Sequence, residues 1–266
     1  MFEKYKVDNL QALIVNYLTA AGCSYFFLEQ DFSLNHVLNS VWLYHAMIIG
    51  TLFIIVFNFY AFGTQKVGIA VTTVANKMSL IIPVCAALIL YPENNTFDEL
   101  KGIAFFLALA GIYLSSTKGG KLSFDKKYLW LIILVFVGQG ISDSIFNDFA
   151  QKFPNEGGFL FFMILFFMAS ISGILILIGK SIKTKNKLQL KSIFWGVIFG
   201  VPNFFSLLFF LKALGSMSSS EVFPLVSMGV VVSSSLIGLL LFKEKLTKSN
   251  WIGILLSICA IYVFSY

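Results

Sequence analysis

The 266-residue chain has no arginine, so all 19 of its basic side chains are lysine. Bidentate guanidinium clamps on phosphate or carboxylate are therefore excluded, and any cation in a site is a lysine point charge. Charged residues make up only 12% of the chain, against about 25% in soluble domains, which excludes an ordinary solvated surface. Histidine is confined to His36 and His45, and there is neither a His-Glu-x-x-His pattern nor a pair of carboxylates one helical turn apart within an apolar span. Metalloprotease and di-iron chemistry are thus unsupported; no catalytic residue, metal or cofactor is expected. A Gly-rich phosphate loop ending in Lys-Ser/Thr is also missing, which removes the usual signature of ATP use. The cysteines Cys23, Cys85 and Cys259 all fall inside apolar runs. They read as small core residues, not as a disulfide framework.

What the chain has in abundance is apolar length. Hydrophobic side chains make up 58% of it, with 30 phenylalanines. Nine apolar spans are expected, over 9–28, 41–63, 67–91, 100–116, 127–149, 157–180, 192–213, 219–242 and 250–264. About 20 residues of helix, rising about 1.5 Å each, cross the hydrocarbon of a bilayer. The first span is too long for a signal-peptide core and lacks a small-residue cleavage site. Trp42, Trp130, Trp195 and Trp251 lie near span ends, where indole rings favour the headgroup region. The chain therefore reads as an all-α integral membrane protein with the lipid bilayer as its surroundings. Its net charge of +6 concerns topology and not nucleic acid.

The lysines are unevenly shared between the two faces. With the N-terminal segment on side one, fifteen loop lysines fall there, and only Lys101, Lys152 and Lys212 fall on side two. Positive loops remain cytoplasmic, which predicts Met1 inside, Tyr266 outside, and a multi-pass protein of the cell membrane.

Four matches in the same order argue for internal duplication. Ala61-Phe62-Gly63-Thr64 answers Ala213-Leu214-Gly215-Ser216, and the run from Ala87 to Glu93 answers that from Gly238 to Glu244. Thr96 with Gly102 parallels Thr247 with Gly253, and Ala110-Gly111-Ile112-Tyr113 answers Cys259-Ala260-Ile261-Tyr262. The copies are 1–122, with four helices, and 123–266, with five. Odd-numbered units in tandem face opposite ways, so two inverted five-helix repeats are expected, with the first helix of repeat one absent. Aligning Phe2-Glu3-Lys4-Tyr5 with Phe146-Asn147-Asp148-Phe149 places Met1 near the end of that absent helix. The chain is expected either to start late or to be a nine-span variant.

The elements from Pro83 to Gly111 and from Pro224 to Tyr262 end in apolar-x-Glu, a Thr-containing turn, a Gly and a final apolar helix. In this the chain resembles the EamA-type transporters of the drug/metabolite transporter superfamily. Asn9-Leu10-Gln11-Ala12 with Asn16-Tyr17 is similar to the second helix of the EamA/RhaT-like group. The resemblance implies a ten-helix permease architecture and a small-molecule substrate, but not which substrate. This chain departs from it in the absent first helix and in a C-terminus predicted outside.

Lys77 sits near the middle of the span 67–91, with Pro83 six residues on. A lysine at that depth costs about 2.5–3.5 kcal/mol on insertion scales and therefore faces a protein interior or a water-filled cavity. Proline removes a backbone donor and opens the helix. By helical rise Asn16, Lys77, Gln139 and Asn203 fall in one layer near the midplane, where transporters bind substrate. The alternative for each amide is simple helix-to-helix hydrogen bonding, worth about 0.6–2 kcal/mol. Asp143 and His45 lie nearer the outer side at similar depth, so a pair between them is expected, with Asp143 as the proton carrier. Glu221 is placed at the outer mouth in water. Glu93 and Glu244 read as structural markers of the repeat, and Gly196 with Gly200 as a surface for close helix approach.

A secondary transporter working by alternating access is the leading reading. A membrane enzyme has no supporting motif. A lipid scramblase or a non-transporting assembly protein is the alternative, and a homodimer is compatible with either.

Overall fold

The computed structural model describes residues 7–28, 33–95, 98–116, 126–154, 156, 158–181, 188–242 and 246–264. The loop lysines Lys4, Lys6, Lys118, Lys121, Lys183, Lys185, Lys187, Lys243 and Lys245 lie outside the described residues, as do the segment 2–5, Thr96 and Glu244. Eleven α-helices follow one another: α1 Asn9–Phe26, α2 Leu34–Leu38, α3 Leu43–Lys66, α4 Ile69–Met78, α5 Ile81–Leu90, α6 Glu99–Ser116, α7 Leu129–Lys152, α8 Gly158–Ser181, α9 Leu190–Leu214, α10 Ser219–Phe242 and α11 Lys248–Phe264. Among the described residues, six helices are long and apolar enough to cross a membrane: Leu43–Lys66, Val71–Leu90, Leu129–Lys152, Gly158–Lys180, Leu190–Leu214 and Ser219–Ile237. Lys248–Phe264 is apolar but shorter.

The span 67–91, where Pro83 is expected to bend or open the helix, is interrupted. It divides into α4 and α5, with Ser79 and Leu80 in a turn between them. Pro83 accounts for the position. Its missing N–H would have bonded the carbonyl four residues back, which is that of Ser79. The Ile82 N–H takes that oxygen instead at 2.9 Å, tightening the chain into a shorter-range turn. The Ser79 hydroxyl donates to the Asn76 carbonyl at 2.6 Å, so a carbonyl freed at the end of α4 is satisfied locally.

The chain divides into two compact units, one of Met1–Asn58 with Asp148–Lys212 and the other of Phe59–Asn147 with Ala213–Tyr266. In the first, α1 packs on α8 and α9 through small residues. The Ser170 hydroxyl of α8 bonds the Ile14 carbonyl at 2.8 Å. A Cβ added at Gly196 or at Gly200 of α9 would lie 2.7 Å from the Ala12 and Asn16 carbonyl oxygens respectively. These two glycines form the close-approach surface expected from their spacing. Around them is a dry aromatic core, in which Phe149 and Phe161 stack at 3.5 Å and Phe162, Phe166 and Phe204 are fully buried. Trp42, in the turn just before α3, is buried edge-on to Phe161.

In the second unit, α6 and α11 make the tightest pair. Gly111 of α6 and Gly253 of α11 meet so closely that a Cβ on either would come within 3.0 Å of the other's carbonyl oxygen. Asn250 then donates to the carbonyls of Leu114 and Ser115 at 3.2 and 2.9 Å. α10 packs on α5, α6 and α11. Cys85 and Cys259, expected in the core, are exposed on their helices. A helix in lipid buries apolar surface against hydrocarbon as readily as against protein, so apolar character alone does not fix which way a residue faces.

Candidate functional site

The predicted site residues fall into two groups, one in each unit. In the first unit, Asn16 of α1 and Asn203 of α9 meet directly, the Asn203 side-chain amide donating to Asn16 Oδ1 at 2.7 Å. The Gly200 contact brings the two helices close enough for these short side chains to touch. Beside Asn16, the Tyr17 ring is 1% exposed and stacks on Phe166 with centroids 6.2 Å apart. Its hydroxyl is buried with no hydrogen-bond partner.

The second unit holds Lys77 and Asp143. Lys77 lies in the last turn of α4, immediately before the helix interruption, where the negative end of the α4 dipole favours a cation. On α7, Gln139 and Asp143 are one turn apart, and the Gln139 amide donates to Asp143 Oδ1 at 2.9 Å. Asn76, next to Lys77, donates to Gln139 Oε1 at 3.0 Å and so ties α4 to α7. Lys77 and Asp143 act on each other through charge. A relay of two amides thus runs from the α4 end to a carboxylate, with a lysine beside it. Ser142, next to Asp143, has a buried hydroxyl without a partner. Asn76 was not singled out from the sequence; as an amide adjacent to a midplane lysine, it carried the signal that would have found it.

The same two helices also line an apolar groove of about 340 Å³. Val74, Ala75 and Met78 line it from α4, and Ile132 and Phe136 from α7.

His45 does not pair with Asp143. Its Nε2 bonds Asp148 Oδ2 at 2.8 Å, and Lys152 Nζ reaches the same oxygen at 3.0 Å. Depth along the helix, which made Asp143 and His45 neighbours, ignores rotation about the axis; Asp148 lies five residues further along α7, turned by about 140°. The His45 ring rests on Phe149 and Phe153, and its Nδ1 is buried without a partner. Glu221 is not free in water either. Lys101 of α6 pairs with it at 2.7 Å, both side chains only 16% exposed. Next to it, Asn95 accepts the Ser220 N–H at 3.1 Å, and Ser219 donates to Asn147 at 2.5 Å.

These helices and intramembrane polar groups define a multi-pass membrane protein. Residues 126–266 match the EamA-like transporter family. The chain belongs to that family, among the drug/metabolite transporters. An uncharacterized protein of Haemophilus influenzae is 31% identical over 264 residues, spanning 96% of this chain and 88% of the relative. One solved crystal structure aligns with 97% of this chain and 89% of its own at a TM-score of 0.76 and 13% identity, a likeness of fold.

Proposed function

We propose that this protein is a secondary-active transporter of a small metabolite, working by alternating access, with the intact span set formed by two inverted repeats in the cell membrane. The observation that carries the proposal is the group on α4 and α7, where Asn76, the residue before Lys77, is joined through Gln139 to Asp143 beside an interrupted helix. Interrupted helices with ionisable residues at their broken ends are how secondary transporters expose backbone and charge to a substrate. In this reading Lys77 attracts an anionic group, Gln139 orients it, and Asp143 carries the coupling proton. Within the first unit, Asn16 with Asn203 is a neutral polar contact and His45 with Asp148 is a further proton site.

The test compares extracellular and intracellular metabolites in cells expressing the wild type, Lys77→Ala or an empty vector. One class of solute is expected to move only with the wild type. Wild-type levels of transport and unchanged anion preference in Lys77→Ala would remove Lys77 from the mechanism.

A further inference from the structure

The groove lies between two helices that run in the same direction. Along α7, Ile132, Ile133 and Phe136 share it with Val71, Ala75 and Met78 of α4. Further on, Gln139 bonds Asn76, and a Cβ on Gly140 would meet the side chain of Ile82. Later positions on α7 thus meet later positions on α4 and α5, so α4 and α7 begin on the same face of the membrane. The residues leading into both are basic. Lys66 ends α3 just before the turn into α4, and Lys126 and Lys127 lie in the short helical turn before α7. Lys66 and Lys127 are exposed, over the rings of Phe62 and Tyr128 at 5.8 and 5.0 Å. Tyr128 and the half-exposed Trp130 mark this end of α7 as headgroup depth.

The groove begins just inside that rim. Val71 and Ile132 come five residues after Lys66 and Lys127 respectively, about 7–10 Å deeper at the rise of a helix. It opens outward, Ile133 being 50% exposed, and every residue lining it is apolar. A polar solute would lose its hydrogen bonds to water there without finding others, whereas hydrocarbon loses none.

From this placement we infer that the groove seats one acyl chain of an anionic phospholipid, whose headgroup lies among the lysines that lead into α4 and α7. The occupant has to offer hydrocarbon to the cleft and negative charge to its rim, and such a lipid carries both in that order. A second copy of the chain would present the same lysines at the same depth, and like charges oppose that contact. The inference needs the chain to lie in a membrane, and it is independent of Lys77 and of the transport mechanism.

The test is native mass spectrometry of the full-length protein, delipidated in detergent and then given equal amounts of phosphatidylglycerol and phosphatidylcholine with the same acyl chains. One firmly held phosphatidylglycerol per protein is expected. Lys66→Gln and Lys127→Gln should each lower its affinity about fivefold while leaving that of phosphatidylcholine unchanged. Ala75→Leu fills the groove from its floor and Ile133→Trp from its open side, and both should displace lipid of either headgroup. Ile133→Trp leaves the buried packing alone, so it decides should Ala75→Leu fail to fold. Leu134→Trp, on an exposed part of α7 that does not line the groove, should keep the lipid.

A graded ladder of bound lipids with no favoured single occupancy, or a lipid retained by Ile133→Trp, overturns the groove as a lipid seat. Loss of the lipid from Leu134→Trp as readily as from Ile133→Trp overturns it too. Equal affinity of the wild type for the two headgroups overturns the part given to the lysines.

Discussion

Two polar groups, the asparagine pair of the first unit and the group around Lys77 in the second, treat polar side chains among apolar helices in opposite ways. In the first, the amides of Asn16 and Asn203 satisfy each other, glycines bring the helices together, and stacked phenylalanines fill what remains. Nothing in that arrangement requires a charge. In the second, a helix is broken next to a lysine, and amides from two helices lead from the break to a carboxylate. The first is a way to make helices adhere; the second, in the proposed function, is the part that a substrate completes. The lesson is that amides of similar depth serve different ends according to whether their partner is neutral or ionised.

Breaking the charged group is expected to have the largest effect. Lys77→Ala removes the cation that acts on Asp143 through charge, and both the melting temperature and transport are expected to fall. Adding Asp143→Asn should restore most of the melting temperature but none of the transport, measured on purified protein and in cells respectively. Full recovery of transport in the double variant would show the pair to be purely structural. With Asp143→Asn alone, transport should lose its dependence on an imposed pH gradient, read in proteoliposomes; unchanged dependence would move the proton to another group.

The first unit is expected to be sensitive to bulk and tolerant of polarity changes. Gly200→Ala should cost about 1–3 kcal/mol by forcing α9 away from α1, whereas Gly179→Ala, with nothing within 4 Å of the added atom, should be neutral. Thermal melting of the two variants side by side tests this. Asn203→Leu should cost about 0.6–1.7 kcal/mol by orphaning Asn16, and adding Asn16→Leu should recover it. A double variant that melts normally but fails to transport would show that the asparagine pair serves transport and not only packing. The smallest effect is expected at Tyr17→Phe, which removes a buried hydroxyl that has no partner. It should leave the melting temperature unchanged or raise it slightly.

The class of the fold was legible because apolar length and scarcity of charge are properties of the sequence itself. The Gly196–Gly200 surface was legible too, since glycine spacing states which helix face is bare. Lys77, Gln139 and Asp143 stood out because an ionisable or amide side chain at mid-span is expensive wherever it points. Partners were harder to read. His45 was matched to Asp143 instead of Asp148, and Glu221 was left in water although Lys101 holds it. Both depend on rotation about a helix axis and on which helices adjoin, and axial depth carries neither. The interruption at Ser79 and Leu80 was signalled by Pro83, but displaced by a turn, because proline acts on the carbonyl behind it.

That interruption also bears on how the chain enters the membrane in the first place. α4 and α5 have ten residues each, about 15 Å apiece and half of a bilayer's hydrocarbon. Neither half would be recognised alone as a spanning segment during synthesis, yet Val71–Leu90 together suffices. The break has to travel through the insertion machinery as part of one segment, before its neighbours α7 and α10 have been made. It is equipped to do so: the Ser79 hydroxyl and the Ile82 amide occupy carbonyls that the turn frees. Replacing Ser79 with alanine should therefore lower the fraction of nascent chains that integrate this span, a defect of biogenesis visible before any defect of transport.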